Sequence, residues 1–226
     1  RDAELDIDDD ISVSFFEKIE KSVKLRKKGD PVRFVYDQKM PEDLLDYLLK
    51  GLKLKKGVNT VAGGKYHNFK DFRSFPDFGN PEFVYPEMPP LKHRRLDQSR
   101  SVFKAVLDKD ILLHFPYQRF TYVVDLLREA AIDPKVKSIK LNVYRVAQDS
   151  QILKALRSAI SNGKEVTVIF ELQARFDEVN NLFWSERLKE DGAHVLFGDP
   201  KRKIHSKLLQ IKRFKEDEEQ VVSYIG

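Results

Sequence analysis

The residues best suited to chemistry in this chain of 226 amino acids are one His-x-Lys motif and two arginines that follow apolar stretches. The motif is His205-Ser206-Lys207, at the end of the basic loop DPKRKI that carries Lys201 and Lys203. On a strand, alternation would put His205 and Lys207 on the same face. An imidazole beside an ammonium is a poor proton acceptor unless an anion balances the charge. With phosphate bound, the same pair suits a nucleophilic imidazole attacking phosphorus while lysine neutralises the equatorial oxygens. Arg145 follows SIKLNVY, and Arg175 comes shortly after EVTVIFEL. A guanidinium stays charged and offers a planar fork of donors that matches phosphate or carboxylate. The bland alternatives are a surface strand for the histidine motif and a salt bridge to Asp177 or Glu178 for the arginines.

Other chemistries lack their residues. The chain has no cysteine, so thiolate nucleophiles, disulfides and zinc–cysteine sites are excluded. His114 reads as a core histidine in an apolar strand and His194 as the start of another. His67, in a glycine-rich stretch, and His93, in a linker, have no clear acid partner. No pair of histidines or acids has metal-ligand spacing. Gly63-Gly64-Lys65 lacks the spacing of a phosphate-cradling loop, and there is no Gly-x-Ser-x-Gly elbow. Side chains must therefore hold any phosphate.

The elements that would position these residues alternate in type. Asp8–Asp10 can cap a helix running to about Lys28, with Ile11, Phe15, Ile19 and Val23 on one face. Pro31–Tyr36 reads as a strand, and Pro41 opens a helix with Leu44, Leu45, Leu48 and Leu49 on one side. A stretch rich in aromatics and glycine follows, read as strand, turn and short helix. Pro86–Pro90 forms a seam that neither a helix nor a central strand can contain. Beyond it, Ser99–Leu107 reads as helix, Asp110–His114 as strand, Phe120–Ala131 as helix and Ser138–Tyr144 as strand. Ser150–Ser161 is a helix capped by Ser150, Glu165–Leu172 a strand and Val179–Glu190 a helix. Ala193–Phe197, His205–Lys212 and Gln220–Ile225 complete the strands. This pattern predicts an α/β fold: an α+β portion over 1–88, a linker at 89–96, and an α/β domain over 97–226 whose mostly parallel sheet is covered on both faces. Ligands of such sheets bind beyond the C-terminal strand ends, where Arg145 lies.

Charge points the same way. The net charge is +5, with 16 Lys+Arg against 17 Asp+Glu in residues 1–90 and 25 against 19 in residues 91–226. An excess gathered in the second half attracts anionic ligands. No apolar run approaches the length of a membrane span. The chain does not begin with Met and ends at VVSYIG, so it reads as a fragment of a longer protein.

Several segments together resemble polyphosphate kinase of the histidine-phosphorylating type: RDAELDI, PVRFVYD, GGKYHNFKDF, LLHFPYQRF, LLREAAIDPKVKSIKLNVYRVA, ELQARFDEVNN and KIHSKL. They occur in that family's order and cover nearly the whole chain. The resemblance implies the later part of the head domain over 1–88 and the first of two phospholipase D-like domains over 97–226. It implies reversible transfer of the terminal phosphate of ATP to inorganic polyphosphate, with magnesium. His205 falls on the phosphorylated histidine, and Arg145 and Arg175 on two arginines at the magnesium–phosphate end of the site. Arginine has no lone pair to give a metal, so both read as contacting it through phosphate. Lys207, Lys203 and Lys201 read as phosphate-binding. The resemblance further implies a cytoplasmic, homo-oligomeric enzyme that uses ATP/ADP and polyphosphate and not nucleic acid, with peripheral attachment to the inner face of the membrane left open. The phospholipase D signature continues from His-x-Lys to an aspartate, and the corresponding position here is Lys212. The alternatives are a phospholipase D-like phosphodiesterase or nuclease, and a non-catalytic polyanion-binding module. Without the second phospholipase-like domain, the fragment is expected to be inactive alone.

Overall fold

The computed structural model describes residues 15–26, 31, 33–66, 68–174, 177–199, 202–216 and 218–226. Arg175, Lys201, His67 and the expected cap at Asp8–Asp10 lie outside the described residues. The described chain forms two compact units, one within Lys21–Glu87 and the other Met88–Gly226 with the start of the first helix, α1 (Phe15–Arg26).

In the first unit, β1 (Phe34–Asp37), α2 (Glu42–Gly51) and β2 (Thr60–Gly63) make a strand–helix–strand crossover, and the two strands pair in parallel. Of the four leucines expected on one face of α2, Leu45 and Leu49 are buried, while Leu44 is exposed. These two lie four residues apart, one turn along the helix. The aromatic stretch after β2 continues into two short 3-10 turns, Phe69–Ser74 and Pro81–Phe83.

The second unit holds the larger core. The helix expected over Ser99–Leu107 is present as α4 (Val102–Asp108), and a short helix that was not expected, α3 (Arg94–Gln98), precedes it at the end of the expected linker. Ser101 divides them: its hydroxyl accepts a hydrogen bond from Lys104 N at 3.1 Å and so caps α4. Then follow α5 (Thr121–Ile132), β3 (Val136–Val143), α6 (Gln151–Ser161), β4 (Glu165–Phe170), α7 (Glu178–Glu190), β5 (His194–Phe197), β6 (Leu208–Lys215) and β7 (Glu218–Ile225). Ser150 caps α6 as expected, accepting from Leu153 N at 3.3 Å.

The α/β class holds, with three differences. First, the five-stranded sheet, ordered β5-β4-β3-β6-β7, is mixed rather than mostly parallel. β3, β4 and β5 pair in parallel, whereas β6 is antiparallel to β3 and to β7. A parallel β6 would need a crossover of about a dozen residues or more, usually a helix. No helix lies among the described residues of segment 198–207, and β6 starts at the sheet edge where β5 ends. Second, among the described residues, β4 is buried on one face instead of two. Val166, Val168 and Phe170 of β4 are buried, while Thr167 and Ile169 on the other face are partly exposed. The β3–β4 and β4–β5 crossovers step the same way across the sheet, so right-handed connections put α6 and α7 on the same side. Third, Asp110–His114 is no strand. Its side chains alternate, with Ile111 and Leu113 packed against the core and Leu112 and His114 exposed, but no neighbouring strand pairs with it. His114 is therefore not a core histidine. Its ring lies against Tyr117, with centroids 5.0 Å apart.

Candidate functional site

The route of segment 198–207 builds the site. β5 ends at one edge of the sheet and β6, separated from it by β4 and β3, begins at that same edge. The chain must therefore cross the C-terminal ends of β4 and β3, where ligands of open α/β sheets bind. Gly198 N donates to Phe170 O at 3.2 Å as the crossing begins, and Ile204 N donates to Glu171 Oε2 at 2.7 Å near its end. His205 follows directly.

Buried polar groups fix these strand ends. Glu171 is 2% exposed, and its other oxygen, Oε1, accepts from Gln173 N at 2.7 Å. Asn181 on α7 is 0% exposed, and its Nδ2 donates to Tyr144 O and to Glu171 O, each at 2.9 Å, tying the ends of β3 and β4 together. The adjacent Asn180 donates to Val146 O at 2.6 Å. Asn142 Nδ2 donates to Ser206 Oγ at 3.2 Å, which docks the histidine motif beside β3.

His205 and Lys207 precede β6, which begins at Leu208, instead of lying within a strand as expected. Lys207 continues the ladder all the same, exchanging both backbone hydrogen bonds with Gly226 at 3.0 and 2.9 Å. Strand alternation is not what unites the two side chains. Lys207 Nζ turns back to donate to His205 O at 2.7 Å, and both side chains reach Tyr144. The His205 and Tyr144 rings meet edge-to-face with centroids 4.8 Å apart. Lys207 Nζ lies 5.4 Å and Arg145 Cζ 5.3 Å from the Tyr144 ring centre. Sequence reasoning overlooked Tyr144, Glu171 and Asn181. The available signals were an acid closing the apolar stretch EVTVIFEL and the asparagine pair in DEVNN.

Three of the six expected site residues, His205, Lys207 and Arg145, come together here. Lys203 is exposed on the crossing segment, and Lys201 and Arg175 are outside the described residues. Arg145 is not the uncompensated cation that its place after β3 suggests. Its Nε lies 2.9 Å from Asp177 Oδ2, with the arginine side chain 53% exposed. This is the salt bridge that the sequence offered as the alternative. Its exposure leaves the guanidinium within reach of a ligand.

The donor set bears on magnesium. Among the described residues, no group of three or more His, Asp or Glu side chains could hold a metal. Both Glu171 oxygens are taken up by backbone N–H groups. Magnesium in phosphoryl-transfer sites keeps several waters and is commonly held by one or two carboxylates plus the substrate's phosphates. These residues fit an ion that arrives on phosphate oxygens, with Asp177 as the nearby carboxylate, and not a dedicated protein cage. No helix among the described residues is long and apolar enough to cross a membrane.

The family model for polyphosphate kinase C-terminal domain 1 matches residues 101–226, and that for the polyphosphate kinase middle domain matches residues 1–75. A polyphosphate kinase of Vibrio parahaemolyticus is 46% identical over 226 residues, all of this chain and 32% of its own length. One from Escherichia coli strain K12 is 45% identical over 228 aligned positions, again all of this chain and 33% of its own length. The chain thus spans about a third of the length of the curated relatives it matches. A solved polyphosphate kinase from Porphyromonas gingivalis superposes with a TM-score of 0.64 at 37% identity, covering 81% of this chain and 28% of its own.

Proposed function

Given that this chain belongs to the polyphosphate kinase family, we propose that the protein carrying it transfers the terminal phosphate of ATP to inorganic polyphosphate through a phosphohistidine at His205. The observation that supports this most is the gathering of His205, Lys207 and Arg145 around one tyrosine ring at the C-terminal ends of the parallel strands.

In this reading a neutral His205 imidazole attacks the γ-phosphorus in line. The N–P bond forms as the bond from γ-phosphorus to the β–γ bridging oxygen breaks, and ADP leaves with that oxygen. The terminal oxygen of a polyphosphate chain then attacks the phosphohistidine, which restores the free imidazole and lengthens the chain by one unit. Both steps reverse. Phosphoryl transfer depends mainly on positioning and charge neutralisation, which suits a cationic site. Lys207 and Arg145 neutralise the equatorial oxygens, while Lys203, exposed on the crossing segment, adds positive charge for the polyanion. Magnesium, bound to the phosphate oxygens, would neutralise part of their charge.

A phosphoenzyme makes a kinetic demand. The enzyme should exchange label between ADP and ATP without polyphosphate, and His205→Ala should abolish the exchange. Exchange that needs polyphosphate in the wild type would indicate direct transfer and overturn the proposal.

A further inference from the structure

Tyr144 touches three side chains of the proposed reaction, yet nothing in that reaction requires a tyrosine. Its backbone is held firmly: Tyr144 O accepts from the buried Asn181, and the preceding Val143 O accepts from Glu171 N at 2.9 Å. The ring therefore projects from a fixed strand end. His205, in contrast, is exposed and stands outside the regular strand.

Lys207 and Arg145 both direct their charge to this ring, Arg145 while paired with Asp177. The electron-rich face of an aromatic ring attracts cations within about 6 Å of its centre. At 5.4 and 5.3 Å, both lie within that range of Tyr144. The edge-to-face contact at 4.8 Å also limits rotation of the His205 imidazole. One ring thus pre-arranges nucleophile and cations, and preorganised charge costs no rearrangement when the transition state forms.

We propose that Tyr144 is a positioning residue: its ring holds the His205 imidazole for attack and keeps Lys207 and Arg145 around the incoming phosphate. The proposal rests on the phosphohistidine reading above. It assigns the role to the ring and not to the hydroxyl.

The test is single-turnover labelling by ATP carrying a labelled γ-phosphate, using intact enzyme bearing Tyr144→Leu, Tyr144→Phe or His205→Ala. Tyr144→Leu should slow labelling by about tenfold, the scale of one lost aromatic contact, while the final amplitude stays that of the wild type. A purely structural role would instead lower the amplitude and leave the rate of the surviving fraction unchanged. Tyr144→Phe, which keeps the ring, should recover most of the lost rate. Wild-type rates in Tyr144→Leu, or equal slowing in Tyr144→Phe and Tyr144→Leu, would overturn the role of the ring. Labelling that survives in His205→Ala would instead overturn the phosphohistidine reading on which it rests.

Discussion

Glu171 Oε2 accepts a hydrogen bond from Ile204 N at 2.7 Å, so a buried carboxylate at the end of β4 fixes the backbone immediately before His205. Its other oxygen holds Gln173 N, leaving both oxygens committed to backbone donors. Glu171→Gln replaces one acceptor oxygen with an NH2 group that cannot accept. Losing one such hydrogen bond, with its donor part-buried, costs about 1 kcal/mol. We expect a lower melting temperature and slower phosphate labelling. Unchanged values for both would show that the crossing segment does not depend on this anchor.

Arg145 and Asp177 form an ion pair that is largely open to solvent. Exposed pairs of this kind contribute about 1 kcal/mol or less to stability. If Arg145 acts on phosphate, Arg145→Lys keeps the charge but loses the forked donors, and transfer should fall by about 2–4 kcal/mol of transition-state stabilisation. Asp177→Asn should cost transfer much less. Steady-state kinetics of both variants decide the matter: equal losses would mean that the arginine serves the ion pair alone.

Arg157 on α6 bonds to Asp191, just beyond α7. This hydrogen bond, helped by the charges of Arg157 and Arg187 and opposed by burial, holds the Asp191 carboxyl below the usual carboxylate range. A carboxyl depressed in the folded state stabilises the fold above its unfolded pKa of about 4, and that stability is lost as pH falls through the folded value. Urea midpoints at pH 7 and pH 3 should therefore fall further for the wild type than for Asp191→Asn. Equal falls would contradict the assignment.

Polyphosphate should bind this chain with a steep dependence on salt, because exposed Arg202, Lys203 and Lys207 meet a polyanion through screened, multivalent contacts. Titration at about 50 and 500 mM salt measures the slope, since the screening length shrinks several-fold across that range. Binding indifferent to salt would argue against an electrostatic path.

Much of the fold was legible because its signals are local. Ser150 before an amphipathic run gave α6, and alternating Val166, Val168 and Phe170 gave β4. Partners far along the chain were not legible. No local pattern says that β6 runs antiparallel to β3, or that Asp110–His114 lacks a strand to pair with. Chemistry followed the same division. His205, Lys207 and Arg145 stood out by residue type, whereas Tyr144 passed as the last residue of an apolar stretch. Its significance lies in contacts made across the sheet edge. The Arg145–Asp177 pair was foreseen only as an alternative, since type and spacing cannot decide between a carboxylate and a phosphate.

The central claim, that His205 carries the phosphate, is tested most directly by locating it. Intact enzyme is incubated with ATP bearing a labelled γ-phosphate, digested under alkaline conditions that preserve phosphoramidates, and mapped by mass spectrometry. The account predicts an acid-labile phosphate on His205 in the peptide that contains IHSK. Phosphate on another residue, with none on His205, would contradict it.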